Sequence, residues 1–196
     1  EHVPGPERVV LKGEKLPDFD VYVAPIDLPL FFNTTVDTVP NEVPYLPWPA
    51  PEREPAVRLE APSGRRIGIV WAGNPSHRHD RWRSIHDVKI LAPLLDVPNT
   101  VFYNLQFGAR ADDFDKAGLG HRIVKLGDER IVDFWNLAGF VRQMDLMISV
   151  DTAVCHLAGA LGVPTWTLLA HGGEWRWMTE REDTPWYPTM RLFRQK

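Results

Sequence analysis

The chain has 196 residues, with 22 Lys+Arg against 26 Asp+Glu for a formal net charge of -4, 44% hydrophobic and 24% charged. That composition excludes a disordered chain and fits one domain with an appendage. A net negative chain lacks the cation excess that bulk nucleic-acid binding requires, and no apolar run approaches the roughly 20 residues that cross a bilayer.

The chain begins at Glu1 rather than Met, as expected of a fragment or a processed product. Twelve of the 18 prolines lie between Pro4 and Pro62. Proline fixes φ and removes a backbone donor, so Pro40 to Pro62 is neither a regular helix nor a central strand. It reads as an extended connector, with Tyr45, Leu46 and Trp48 free to pack along a neighbouring surface. Before it, Val9 to Leu11 and Val21 to Val23 are predicted as short strands. Residues 1–65 are therefore an irregular Pro-rich segment, either a linker or the end of a preceding domain, and are available to pair with a second copy of the chain.

Strand and helix patterns alternate from Arg66 onward. Ile67 to Trp71 is a short apolar run, as in a strand covered on both faces. Val88 to Leu95 reads as a helix weakened by Pro93. Val101 to Leu105 is a strand, Ala109 to Ala117 a short helix, Arg122 to Leu126 a strand and Val132 to Met144 a helix. Leu146 to Val150 is a strand, Thr152 to Leu161 a helix stopped by Gly162 and Pro164, and Thr165 to Leu169 a strand. Such alternation predicts an α/β fold, a doubly wound, Rossmann-like parallel sheet over residues 66–196. In these sheets ligands bind beyond the carboxyl ends of the strands, so the residues just after each strand carry the functional information. Asp145, just before a strand, has no site role on that rule.

The strongest signal is Ser149-Val150-Asp151-Thr152-Ala153-Val154-Cys155-His156. A buried strand turns directly into a helix of small residues, whose free amides and positive dipole end suit an anion. Thr152 adds a hydroxyl, and His156 lies on the same helix face at i+4. The pattern reads equally as plain N-capping by Asp151 or Thr152. A carboxylate at Asp151 would repel a phosphate, and suits the helix amides or ligand hydroxyls instead. Cys155 is the single cysteine, which excludes an intrachain disulfide and a Cys-rich zinc site and is expected of a reducing, cytoplasmic compartment.

After the first strand come Ala72-Gly73-Asn74-Pro75 and a loop carrying Arg78, Arg81 and Arg83 against Asp80. Arginine forks suit phosphate oxygens, although a basic run is also what a solvated loop looks like. Trp82 is expected to anchor that loop. Gln106-Phe107-Gly108 follows the second strand and offers an amide and a ring to a sugar or base. Ala170-His171-Gly172-Gly173-Glu174 follows the fifth, with His171 and Glu174 as candidate sugar contacts, while Trp175 and Trp177 read as packing residues. Asp18-Phe19-Asp20 is a chance match to a metal-holding acid pair, Asp112 to Asp115 an exposed helix face, and Asn33-Thr34-Thr35 an isolated sequon. No G-x-G-x-x-G follows the first strand, which argues against a dinucleotide enzyme.

Taken together, IGIVWAGNP, RWRSI, NLQFG, DLMISVDTAVCHLAGALGVPTW and EWRWM with DTPWYPTMRLFRQ resemble the C-terminal lobe of glycosyltransferase family 9-like proteins. These are relatives of the heptosyltransferases, often found behind tetratricopeptide repeats. The resemblance implies a two-lobed GT-B fold whose C-terminal lobe holds a nucleotide-diphosphate sugar. Asp151, Thr152 and Ala153 match the pyrophosphate-binding turn, and Ala72, Gly73 and Asn74 match a small polar loop. Arg83 stands where the family uses a lysine. Gln106 stands near a ribose-binding acid, and that exchange leaves the nucleotide open. The family transfers sugar with inversion and without metal, using a base from the N-terminal lobe. The resemblance therefore implies a chain that binds a donor, requires no cofactor or metal, and does not transfer sugar to its acceptor alone. The competing reading is a noncatalytic nucleotide-binding or protein-interaction module. An epimerase is disfavoured by the missing glycine fingerprint.

Overall fold

Six parallel strands form one sheet in the order β3-β2-β1-β4-β5-β6. The strands are β1 (Arg65–Val70), β2 (Thr100–Asn104), β3 (Val124–Lys125), β4 (Leu146–Val150), β5 (Thr165–Leu169) and β6 (Met190–Arg194). The computed structural model describes residues 7–46, 58–59, 63–126, 130–172 and 174–196. Among them the α-helices are α1 (Leu28–Phe31), α2 (Asp80–Arg83), α3 (Asp113–Lys116), α4 (Phe134–Val141) and α5 (Ala153–Ala160), joined by several 3₁₀ turns. The strand order reverses between β1 and β4, which is the Rossmann-like arrangement.

The sheet is covered on both faces because its central strands carry apolar side chains toward both sides. Ile67, Ile69, Trp71, Phe102 and Ile148 pack with Val88, Leu91 and Phe114 on one side. Val70, Tyr103, Leu105 and Met147 pack with Leu137, Val141, Val154 and Ala158 of α4 and α5 on the other. Successive residues of one strand thus enter opposite cores, as the two-residue period of the pleat requires. A third cluster, including Cys155, Leu169, Trp177, Tyr187 and Leu192, closes the β5–β6 end.

Helix ends follow from local chemistry. Asp133 accepts the Asn136 amide at 2.8 Å and starts α4 two residues later than its apolar pattern predicts. Gly162, at φ +71°, ends α5: its amide donates to the Gly159 carbonyl and that of Val163 to the Ala158 carbonyl. This left-handed stop is one that a β-carbon would strain. Asp145 accepts the Arg66 amide at 2.7 Å at the opposite end of the sheet from the cleft described below.

Several predicted elements are corrected. Val9 to Leu11 and Val21 to Val23 are not strands; Leu11 is 67% and Tyr22 88% exposed, and no neighbouring strand offers them hydrogen bonds among the described residues. Two prolines at first-turn positions instead start a 3₁₀ turn (Pro25–Asp27) and α1. Val88–Asp96 is a 3₁₀ helix, with Pro93 inside it removing a backbone donor. The helix predicted over residues 109–117 is split into a 3₁₀ turn (Gly108–Arg110) and α3. The strand predicted over residues 122–126 shrinks to β3, because a 3₁₀ turn occupies Gly120–Arg122. Strand β6 and helix α2 are additions. Trp48 and much of the Pro-rich connector lie outside the described residues, but Tyr45 and Leu46 donate their amides to the Ala160 carbonyl at the end of α5.

The acidic run from Asp112 to Asp115 is not simply an exposed face. Phe114 is buried with its ring edge-on to Trp71, centroids 4.8 Å apart, and Asp113 accepts from Trp71 Nε1 at 3.1 Å. Truncating so large a buried ring leaves a cavity in the Ile69 face of the core. Phe114→Ala is expected to cost about 3–5 kcal/mol in urea-induced unfolding.

Candidate functional site

The reversal of strand order opens a crevice beyond the carboxyl ends of β1 and β4, as sheets of this topology do. Here it is a cleft of about 1150 Å³. Nine sequence-predicted positions line it together: Gly73, Asn74, Arg83, Gln106, Asp151, Thr152, Ala153, His156 and Glu174. His171 is exposed just after β5 and is not among the lining residues; the chain there returns to the cleft wall only at Glu174 and Arg176.

The β4-to-α5 turn forms one wall. Thr152 is the N-cap: its backbone is extended and its hydroxyl accepts the Val154 amide at 3.3 Å, a long bond. That settles which of Asp151 and Thr152 caps the helix. Asp151 instead turns toward His156, its Oδ1 3.7 Å from Nε2. Burial lowers the His156 pKa below the ordinary histidine value, opposed by the charge of Asp151, with Arg176 lowering and Glu174 raising it further. Ala153, the first helical residue, is exposed, and an amide at that position has no intrahelical acceptor.

The opposite wall comes from the segment after β1. Gly73 donates its amide to Ser84 Oγ at 2.9 Å, and Ser84 donates to the buried Asp80 carboxylate at 2.7 Å. Helix α2 places Arg83 beside this network, with Nε 3.8 Å from Asp80 Oδ1. That separation is too long for a hydrogen bond, and among the described residues the buried Arg83 Nε has no hydrogen-bond partner. Arg81 and Trp82 do not join the wall. Trp82 is 62% exposed with the Arg81 guanidinium 4.4 Å over its ring, so it does not anchor the loop.

Gln106 has a structural task. It is buried, and its Oε1 accepts the amides of Trp71 and Ala72 at 3.2 and 2.9 Å while Nε2 donates to the Phe107 carbonyl. Both amides lie where β1 has ended and ladder partners have run out, so one side-chain carbonyl completes the backbone pairing there. Sequence reasoning also missed two cleft arginines. Arg110 is held by Asp113 and by the Ile85 carbonyl, and Arg176 by Glu174. Nothing local in the sequence marks either residue, since each reaches the cleft through a short 3₁₀ turn that no periodicity announces.

Asp151, Cys155 and His156 offer ligand atoms within 4.8 Å of one another. The thiol, however, donates to the Thr152 carbonyl at 3.0 Å, and burial pushes its pKa up to about 12. A metal would need the thiolate and the loss of that bond, so these three groups are poorly prepared as ligands. No helix of the described residues is long and apolar enough to cross a membrane.

Fold and cleft together define a doubly wound α/β unit with a cationic crevice at its topological switch point. No family model matches the chain. It is similar to Protein FlbA of Caulobacter vibrioides, with 30% identity over 180 residues that cover 89% of this chain. The chain spans about 30% of that protein's length. Among solved structures it is similar to the E. coli heptosyltransferase WaaC with ADP, at TM-score 0.49 and 16% identity over 68% of this chain and 39% of that one. The same enzyme with ADP-2-deoxy-2-fluoro heptose gives TM-score 0.48 and 15% identity over 68% and 38%.

The Gln106 arrangement can be tested directly. Gln106→Leu leaves two buried amides without an acceptor and is expected to destabilise the chain by about 2–4 kcal/mol in urea unfolding. A residue serving only a bound ribose would leave the unliganded stability unchanged.

Proposed function

We propose that the cleft binds the diphosphate of a nucleotide sugar and that residues 66–196 are the donor-binding lobe of a GT-B glycosyltransferase. One observation carries this reading. The start of α5 and the Arg83 side chain line the same cleft, at the switch point between β1 and β4, with the Arg83 guanidinium ion-paired to Asp80 at 3.8 Å. An anion seated between them meets helix amides and dipole on one side and a charge-assisted donor on the other. The resemblance of the surrounding motifs to the heptosyltransferase relatives agrees with it.

The chemistry follows from electrostatics. Cleaving the bond between sugar and phosphate builds negative charge on the departing diphosphate. Amides of Ala153 and Val154, the Thr152 hydroxyl and Arg83 stabilise that charge as it forms, with no metal required in this scheme. The long Thr152–Val154 bond is one that a phosphoryl oxygen replaces at small cost. Asp151, the one carboxylate on this wall, suits a hydroxyl of ribose or sugar rather than the phosphates. Glu174 lies on the cleft wall for a sugar contact; His171 would have to move to reach it.

Inverting transfer also needs a general base near the acceptor hydroxyl. In this reading the base belongs to an N-terminal acceptor lobe, of which residues 1–65 are the remnant together with the Pro-rich connector, so that residues 1–196 alone bind a donor without transferring it. Tetratricopeptide repeats in a longer protein and a cytoplasmic setting belong to the same proposal.

A second reading, an interaction module, is favoured by the apolar side chains that residues 7–46 leave in solvent. Val21, Tyr22, Ile26 and Phe32 are each at least 72% exposed. Pairing with a second copy through this segment is compatible with either reading.

Calorimetric titration with ADP, UDP and GDP and their sugars separates the two. Micromolar binding is expected, falling at least about tenfold, or 1.4 kcal/mol, in Arg83→Ala and in Thr152→Val. Absence of binding to all of these ligands overturns the donor-lobe reading and favours the interaction module.

A further inference from the structure

His156 is held on two sides by the C-terminal segment. Trp177 stacks on its ring, centroids 5.1 Å apart and planes 15° from parallel. Tyr187 meets it at the edge, its hydroxyl 3.1 Å from Nδ1. The other ring nitrogen, Nε2, lies on the Asp151 side, and both residues line the cleft.

The Asp151 carboxylate is 3.7 Å from Nε2, and its negative charge favours the tautomer with the proton on the nitrogen nearest it. In that tautomer Nδ1 is a bare lone pair and accepts from the Tyr187 hydroxyl. Burial pushes the Tyr187 pKa up, as does a hydrogen bond with the Tyr45 side chain, so the Tyr45 oxygen competes with Nδ1 for the phenol proton; burial likewise lowers the His156 pKa against the opposing charge of Asp151. The charged groups acting on the ring are Asp151, Arg176 and Glu174. At 3.7 Å the Asp151 carboxylate is beyond hydrogen-bond reach, so the Nε2 proton is not used up within the protein.

Helix α5 is shaped to allow this. A β-carbon on Gly159 would fall 2.5 Å from the Tyr187 ring, so the phenol lies directly on the glycine, three residues beyond His156. Any larger residue would lift the ring and carry its hydroxyl away from Nδ1. Pro188 further restricts the Tyr187 backbone to extended conformations.

We propose that Tyr187 is a positioning residue: its hydroxyl holds His156 in the Nε2–H tautomer and so aims a neutral hydrogen-bond donor at the phosphoryl oxygens of the bound nucleotide. The donor role rests on the nucleotide reading above; the tautomer does not. The consequence is a directional contact beside Asp151 that needs no charged imidazolium. Tyr187→Phe keeps the ring on Gly159 and removes only the hydroxyl, which separates positioning from packing.

The test is a long-range proton–nitrogen correlation spectrum of the full chain with labelled histidines, at a pH above the ordinary histidine pKa and without nucleotide. The chain has seven histidines, and His156→Gln identifies the signal. The wild type is expected to show a protonated Nε2 and a bare Nδ1, and Tyr187→Phe to move both signals toward the average of the two tautomers. In ADP titrations, Tyr187→Phe should weaken binding about three- to tenfold, with no further loss when His156 is already Gln. A wild-type proton on Nδ1, spectra unchanged in Tyr187→Phe, or an equal loss of affinity in both backgrounds overturns the positioning role. The expected tautomer in a chain that binds none of ADP, UDP and GDP overturns the nucleotide reading and the donor role with it, so the two failures are distinguishable.

Discussion

The reversal of strand order between β1 and β4 is the constraint from which the site follows. On either side of that point the connections leave the sheet on opposite faces, so the two segments that follow these strands diverge and leave a crevice between them. One wall is the turn into α5 and the other the turn into α2. Neither is an anion site of consequence by itself. Together they set the start of α5 and the Arg83 side chain on one cleft.

The interior of the sheet keeps that geometry in place. Gln106 ties the end of β1 to the end of β2 by accepting two amides that the ladder no longer serves. Trp71 continues the same link to Asp113, and Asp113 in turn holds Arg110 at the cleft edge. The small residues of α5 serve the other wall, since Gly159 admits the Tyr187 ring that reaches His156. Gln106, Asp113 and Tyr187 are thus held by hydrogen bonds within the scaffold, which is how a rigid frame presents a few reactive contacts.

Much of this was legible in the sequence. The central strands were plain because Ile67 to Val70 and Leu146 to Val150 are short, mostly apolar runs, as in strands covered on both faces. The strand-to-helix turn at Asp151 and Thr152 was legible for the same reason, and the rule that ligands bind beyond strand ends led from it to the other residues that line the cleft. What periodicity could not show was where a short segment would find partners. Val21 to Val23 has strand composition but no adjacent strand, whereas Met190–Arg194 gains its pairing only from β5, more than twenty residues away. The roles of Gln106, Arg110 and Tyr187 are likewise tertiary. Each depends on a backbone group or ring from a distant segment, and residue type alone does not distinguish a ligand contact from a structural bond.

The account stands on a diphosphate lying between the start of α5 and Arg83. A crystal structure with bound ADP tests this most directly. The expected result places phosphoryl oxygens within hydrogen-bond reach of the Ala153 amide, the Thr152 hydroxyl and the Arg83 guanidinium. Phosphates bound elsewhere, with Arg83 Nε and the helix amides untouched by ligand, would contradict it.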